Sequence, residues 1–205
     1  MSPGFTFERV YLALKEQLSS GRFAPGEHLE PAVLGPEFNA SITPVRDALH
    51  RLVGERIVEA PRNDGFRVPA PTEAELRELY GWSRTLLELA LRASPAMSPA
   101  AALRAAETDR KTLQEDTDLF RRISRRTGNP EHEAAMDNLN DRLGPLRVAE
   151  TRILDNVADE LRTLREAWDE VDFVRLRRGI AAYHRRRQRH VPDILIASRA
   201  LSSAH

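Results

Sequence analysis

Only one stretch of this chain, residues 56–68, carries a strand-like pattern; elsewhere the apolar residues recur at helical spacing. Arg56-Ile57-Val58-Glu59-Ala60 and Phe66-Arg67-Val68 read as two short strands, joined by a hairpin tip at Pro61-Arg62-Asn63-Asp64-Gly65. Three helices precede them. The first runs from Thr6 to Ser19, with Val10, Leu14 and Leu18 in register, and Ser20-Gly21 ends it. The second is short, Pro31 to Phe38. The third spans about Thr43 to Glu55 and turns Val45, Leu49, Leu52 and Val53 inward; Ser41 or Thr43 caps it, and Pro44 suits an early helical position.

Pro69-Ala70-Pro71 then forms a compact linker, which divides the chain into residues 1–71 and 72–205. Behind it the spacing predicts helices only, over residues 72–92, 100–113, 116–126, 130–155, 157–170 and 173–200. Gly144-Pro145 is expected to interrupt or kink the fourth of these. The fold class is therefore mainly α: a winged helix-turn-helix of three helices plus a two-stranded β wing, followed by an all-α antiparallel helical bundle.

Composition narrows the chemistry. Hydrophobic residues make up 41% of the chain but aromatics only 6%, so the cores must be largely aliphatic. With no cysteine, disulfides, thiolate metal sites and cysteine nucleophiles are excluded. No apolar run approaches the roughly 18 residues that cross a bilayer, and Met1-Ser2-Pro3-Gly4 does not open a leader peptide, so a cytoplasmic protein is expected. Motifs for a catalytic triad, a phosphate-binding glycine loop or a His-Glu-x-x-His zinc site are missing, and no enzyme is expected. The net charge is zero, so any positive surface for nucleic acid must be local.

The order helix, turn, helix, ribbon suits double-stranded DNA. The second helix of the pair fits the major groove, where every base pair shows a distinct pattern of donors and acceptors. Ser41 and Thr43 stand at the start of that helix, Arg46 and His50 lie one turn apart on its outer face, and Arg51 is nearby. Arg62 and Asn63 occupy the hairpin tip, where Gly65 allows a close backbone approach.

Three blocks carry a family resemblance: Leu18-Ser-Ser-Gly-Arg22-Phe-Ala-Pro-Gly26-Glu-His-Leu29, Ser41-Ile-Thr-Pro-Val-Arg46-Asp-Ala-Leu49-His-Arg-Leu52, and Ile57-Val-Glu-Ala-Pro-Arg62-Asn-Asp-Gly65-Phe-Arg-Val68. Together they resemble the GntR family of bacterial regulators, whose typical run is Ser-Arg-Thr-Pro-Val-Arg-Glu-Ala-Leu. The resemblance implies that Arg46, the segment Ser41 to Thr43 and the wing contact DNA. It further implies a homodimer on a two-fold operator, usually as a repressor. Ile42 departs from the pattern, standing where the family usually has arginine. It either touches a thymine methyl or faces inward as core.

The helical remainder resembles the effector-binding and dimerisation domain, known as FCD, of the FadR-like branch, through Arg84-Thr-Leu-Leu-Glu88 and through Asp116-Thr-Asp-Leu-Phe120 followed by Gly128-Asn-Pro130. Many such domains hold a divalent metal with one aspartate and three histidines. Here Asp116 matches the aspartate, but Phe120 replaces the first histidine and only His184 is a candidate for a later one. The metal site is therefore read as lost and no cofactor is expected. An effector pocket lined by Arg84, Asp116, Phe120, Tyr183 and His184 is one expectation, with Arg84 holding a ligand carboxylate. The other is that Phe120 and Tyr183 simply fill the space while Arg84 pairs with Glu88. The run His184-Arg-Arg-Arg-Gln-Arg-His190 reads as a solvated helix face.

Overall fold

The computed structural model describes residues 3–62, 64–92 and 115–202. The described residues form helices α1 (Pro3–Ser19), α2 (Pro31–Glu37), α3 (Ile42–Gly54), α4 (Glu73–Arg92), α5 (Glu115–Arg125), α6 (Pro130–Ile153), α7 (Val157–Asp169), α8 (Phe173–Arg189) and α9 (Val191–Ser202). The helix expected over 100–113 lies outside the described residues. Two compact units emerge. The first comprises residues 1–72, 141–152 and 193–205, and the second residues 73–140 and 153–192.

In the first unit α1 and α2 both pack on α3. Val10, Leu14 and Leu18 of α1 meet Val45, Leu49 and Leu52 of α3, all without solvent exposure. Three such apolar side chains per helix supply the burial that fixes the pair, at about 1.5–3 kcal/mol for each large side chain. The turn between α2 and α3 is held from α1. Arg9 donates to the carbonyls of Phe38 at 2.8 Å and Asn39 at 3.2 Å, which places a cation on carbonyls that the end of α2 leaves unsatisfied. Asn39 itself has φ 49°, a left-handed turn that asparagine tolerates.

The wing differs from the expected pair of strands. The pairing consists of isolated bridges: Glu59 and Arg67 exchange backbone hydrogen bonds of 2.9 Å in both directions, and His28 bridges Arg67 from the other side. Val68 accepts from Gly26 and donates to Glu27, while Phe66 accepts from Leu29, so residues 26–29 form the second neighbour of the 66–68 segment. Residues 56–58 do not pair as strand because they end α3. Arg56 takes φ 60°, its N–H donates to Val53, and the Ile57 N–H donates to Leu52 at 3.0 Å. This is the Schellman closure, with arginine in the place where glycine is usual.

Two further expectations are corrected. Helix α6 continues through Gly144-Pro145, so the expected interruption is absent. Both residues are buried, and the bare Cα of Gly144 lets Ser19 of α1 sit against it. The last predicted helix is instead two, α8 and α9, separated at His190. Pro192 has no N–H to donate, which disfavours continuing α8 but suits the first turn of α9, where it stands.

A polar network ties α1 to the end of α3 within the first unit. Lys15 lies 2.8 Å from Glu55 and 3.1 Å from Asp141, Tyr11 donates to Glu55 at 2.6 Å, and Ser19 donates to Asp141 at 2.9 Å. Burial alone would raise the Glu55 carboxyl, but hydrogen bonds from Lys15 and Tyr11 and the charges of Lys15 and Arg51 hold it below its ordinary value. Burial likewise opposes the charge on Lys15, yet Glu55 and Asp141 outweigh it and push the ammonium above its usual range. A depressed carboxylate contributes stability that is full above its unfolded pKa, near 4.5, and is lost as pH falls through the folded value. Protection of the α1 and α3 amides against hydrogen exchange should therefore fall more steeply below pH 4.5 in the wild type than in Glu55→Gln.

In the second unit α4 packs on α5 and α8, and α7 packs on α8. Among the described residues no helix is long and apolar enough to cross a membrane.

Candidate nucleic-acid interface

Helix α3 sorts its residues by period. Val45, Ala48, Leu49 and Leu52 are buried, while Ser41, Ile42, Thr43, Arg46 and His50 are exposed. At 100° per residue, positions 42, 43, 46 and 50 share an arc of about 100°. Ser41 is the extended N-cap residue, and its hydroxyl forms no capping hydrogen bond. Arg46 lies mid-arc, exposed, with no hydrogen bond or ion pair among the described residues. The His50 ring meets Phe66 edge-on at 4.9 Å, so α3 and the wing touch at this point. Thr43, Arg46 and His50 are thus presented together on one polar surface.

Arg51 stands apart from them. It is 140° around the helix from Arg46 by the same geometry. Its guanidinium sits 3.9 Å over the Tyr11 ring and pairs with Glu8 at 3.3 Å and Glu55 at 3.6 Å. The side chain is used to fasten α3 to α1, which the sequence could not reveal because Glu8 and Tyr11 lie some 40 residues away. Arg9, holding the α2–α3 turn, was missed for the same reason: its partners are backbone carbonyls.

At the wing tip Arg62 is exposed and Gly65 takes φ +68°, with open space where a side chain would lie. The glycine is there for its left-handed backbone rather than for a close approach within the chain. Asn63 lies outside the described residues. Arg67 is occupied by Glu59 at 3.2 Å and Asp64 at 3.4 Å. Ile42 is half exposed at the first position of α3, which corrects the inward-facing alternative.

The residues proposed for an effector pocket fall into three groups. Phe120, Tyr183 and His184 come together in the second unit: Phe120 is 5.2 Å from Tyr183 and 6.1 Å from His184, ring to ring, and all three are buried. Both His184 ring nitrogens are engaged, Nδ1 with the Ile180 carbonyl at 2.8 Å and Nε2 with Ser83 Oγ at 3.1 Å. Arg84 is paired with Glu88 at 2.6 Å on its own helix. The Asp116 side chain lies outside the described residues. Among the described residues no three acidic or histidine side chains gather as a metal site would require.

The basic run on α8 is not simply solvated. Arg185 and Arg189 are exposed, but Arg187 is fully buried, 2.9 Å from Glu160 and 3.2 Å from the Tyr183 ring centre, and Arg186 donates to the Asp155 carbonyl. His132 is half-buried, with Nε2 3.0 Å from the Leu86 carbonyl.

Residues 6–68 match the family model of the bacterial regulatory proteins, gntR family. Over 70 residues the chain is 34% identical to the HTH-type transcriptional repressor GlaR of Escherichia coli (strain K12), covering 34% of this chain and 32% of that protein. Over 66 residues it is 39% identical to the HTH-type transcriptional regulator McbR of the same organism, covering 32% and 30%. The aligned region thus spans about a third of the length of these relatives. The structure of E. coli McbR matches with a TM-score of 0.64 at 22% identity, over 91% of this chain and 96% of that one. A structure described as a transcriptional regulator GntR from Rhodococcus sp. RHA1 matches with a TM-score of 0.71 at 17% identity, over 90% and 96%. At such identities these likenesses concern the fold alone, and they extend it through the helical C-terminal part. Residues 6–68 of this chain are thus similar to the domain described by the gntR-family model of bacterial regulatory proteins.

Proposed function

We propose that this protein is a sequence-specific DNA-binding regulator that acts as a homodimer on a near-palindromic operator, most simply as a repressor that occludes a promoter. The observation that carries this reading is the exposed arc of α3, where Thr43, Arg46 and His50 point outward beside the wing while Arg51 is held back for packing. Arg46 supplies a base or phosphate contact from the major groove, Ser41 and Thr43 supply backbone contacts, and Arg62 with the wing tip reaches the neighbouring phosphates. Two half-sites multiply the contacts and hence the specificity. In this reading residues 1–71 bind DNA and residues 72–205 form a FadR-like, FCD-type domain for dimerisation and response to a small effector such as a carboxylate.

A second reading of the helical domain is favoured by one observation. Phe120, Tyr183 and His184 pack on one another, Ile180 and Ser83 engage both His184 ring nitrogens, and Arg84 already holds Glu88. On that reading the domain dimerises without a metabolite response. A change in operator affinity on adding small carboxylates separates the two.

The test of DNA binding is site selection from a random duplex pool, followed by anisotropy titration at fixed salt. Arg46→Ala should weaken the selected site by about 1–3 kcal/mol, the scale of one good base contact. Arg62→Ala should weaken selected and unselected DNA alike and reduce the salt slope by about one. Equal affinity of wild type for selected and scrambled DNA would refute the reading.

A further inference from the structure

We infer that Ile42 reads the C5-methyl group of a thymine, and that it sets one base preference of the operator. This rests on the DNA-binding reading above and deepens it. Ile42 is the first residue of α3 and half exposed, and its neighbours Ser41, Thr43 and Arg46 are exposed with it. A β-branched aliphatic side chain set in water among polar groups contributes nothing to the core of the first unit, which α3 builds from Val45, Ala48, Leu49 and Leu52. At the entering end of a helix in the major groove it meets base edges. Of the groups displayed there, oxygens, ring nitrogens and amino groups all require a polar partner, and isoleucine would strip water from them without replacing it. The thymine methyl is the one apolar group on that edge. Ile42 excludes guanine for the same reason, since O6 and N7 would be left unpaired.

The probe is a selected operator duplex in which each thymine of one half-site is replaced in turn by uracil, which removes only the methyl group. Burying one carbon is worth a factor of about three to five in affinity. Wild type should lose that factor at one position and none elsewhere, and Ile42→Ala should bind thymine and uracil duplexes equally there. Ile42→Arg, tested by repeated selection, should move the preference at that position from thymine to guanine, whose O6 and N7 accept a bidentate arginine. The variants alter an exposed residue, so their α3 helix is retained. Uracil tolerated at every position by wild type, with Arg46 still required for binding, would overturn this inference and leave the DNA-binding reading intact. Failure of the wild type to select any site would overturn both.

Discussion

Glu160→Ala should destabilise the second unit by about 3 kcal/mol or more, the cost of removing one partner of a buried ion pair. The Arg187 guanidinium is fully shut off from solvent, whereas the Glu160 carboxylate keeps 18% of its side-chain exposure. Deleting the carboxylate leaves a buried cation facing the Tyr183 ring and the Tyr183 carbonyl, which accepts from it at 3.2 Å. Arg187→Met fills similar apolar space, and the Glu160 that it leaves behind can turn to water. Its loss should be clearly smaller, about 1–2 kcal/mol. Trp82 and Trp168 both belong to the second unit, so urea unfolding followed by tryptophan fluorescence reports on it directly. Equal losses in the two variants would show that the pair is not governed by burial.

Gly144→Ala should destabilise the first unit by up to about 2 kcal/mol, although alanine is the better helix former. A Cβ at residue 144 would stand 2.0 Å from the Ser19 carbonyl oxygen and 2.7 Å from its carbon. Both are backbone atoms at the end of α1, so no side chain can swing aside. The gain in helix propensity is about 1 kcal/mol, while overpacking a rigid contact costs about 1–3 kcal/mol and occasionally more. Gly54→Ala supplies the control: α3 carries it where a Cβ meets nothing within 4 Å, so the propensity gain should appear alone. Thermal melts followed by circular dichroism, with hydrogen exchange of the α1 amides, distinguish the two substitutions. A melting temperature of Gly144→Ala at or above the wild type would mean that α1 does not rest on α6 as described.

These two sites also show where sequence reading succeeds and where it stops. The helices are legible because burial repeats at their own period, and the exposed arc of α3 follows from the same arithmetic that buries Val45, Ala48, Leu49 and Leu52. The strand assignment at residues 56–58 failed because Ile57 and Val58 are β-branched and buried, yet their N–H groups are already committed to the Leu52 carbonyl at the end of α3. The unbroken α6 was illegible because propensity marks Gly144-Pro145 as a break, while tertiary contact with Ser19 decides otherwise. Within the basic run of α8, Arg187 continues the buried series of Leu176, Ile180, Tyr183 and His184, so its position was readable from spacing. Its charge argued for solvent, and its pairing with Glu160 of α7 is a contact that spacing along α8 does not show. At the candidate interface, Arg46 and Arg51 look alike in sequence. Arg51 is taken by its i+4 neighbour Glu55 and by Tyr11 and Glu8, the latter two brought near by folding.

The most direct test of the central claim is a footprint of the wild-type protein on the DNA upstream of its own gene and the neighbouring genes, run beside Arg46→Ala at moderate salt. A regulator built on the exposed arc of α3 protects a short, near-palindromic segment that Arg46→Ala no longer protects at the same concentration. Protection of no segment above the non-specific level would contradict it.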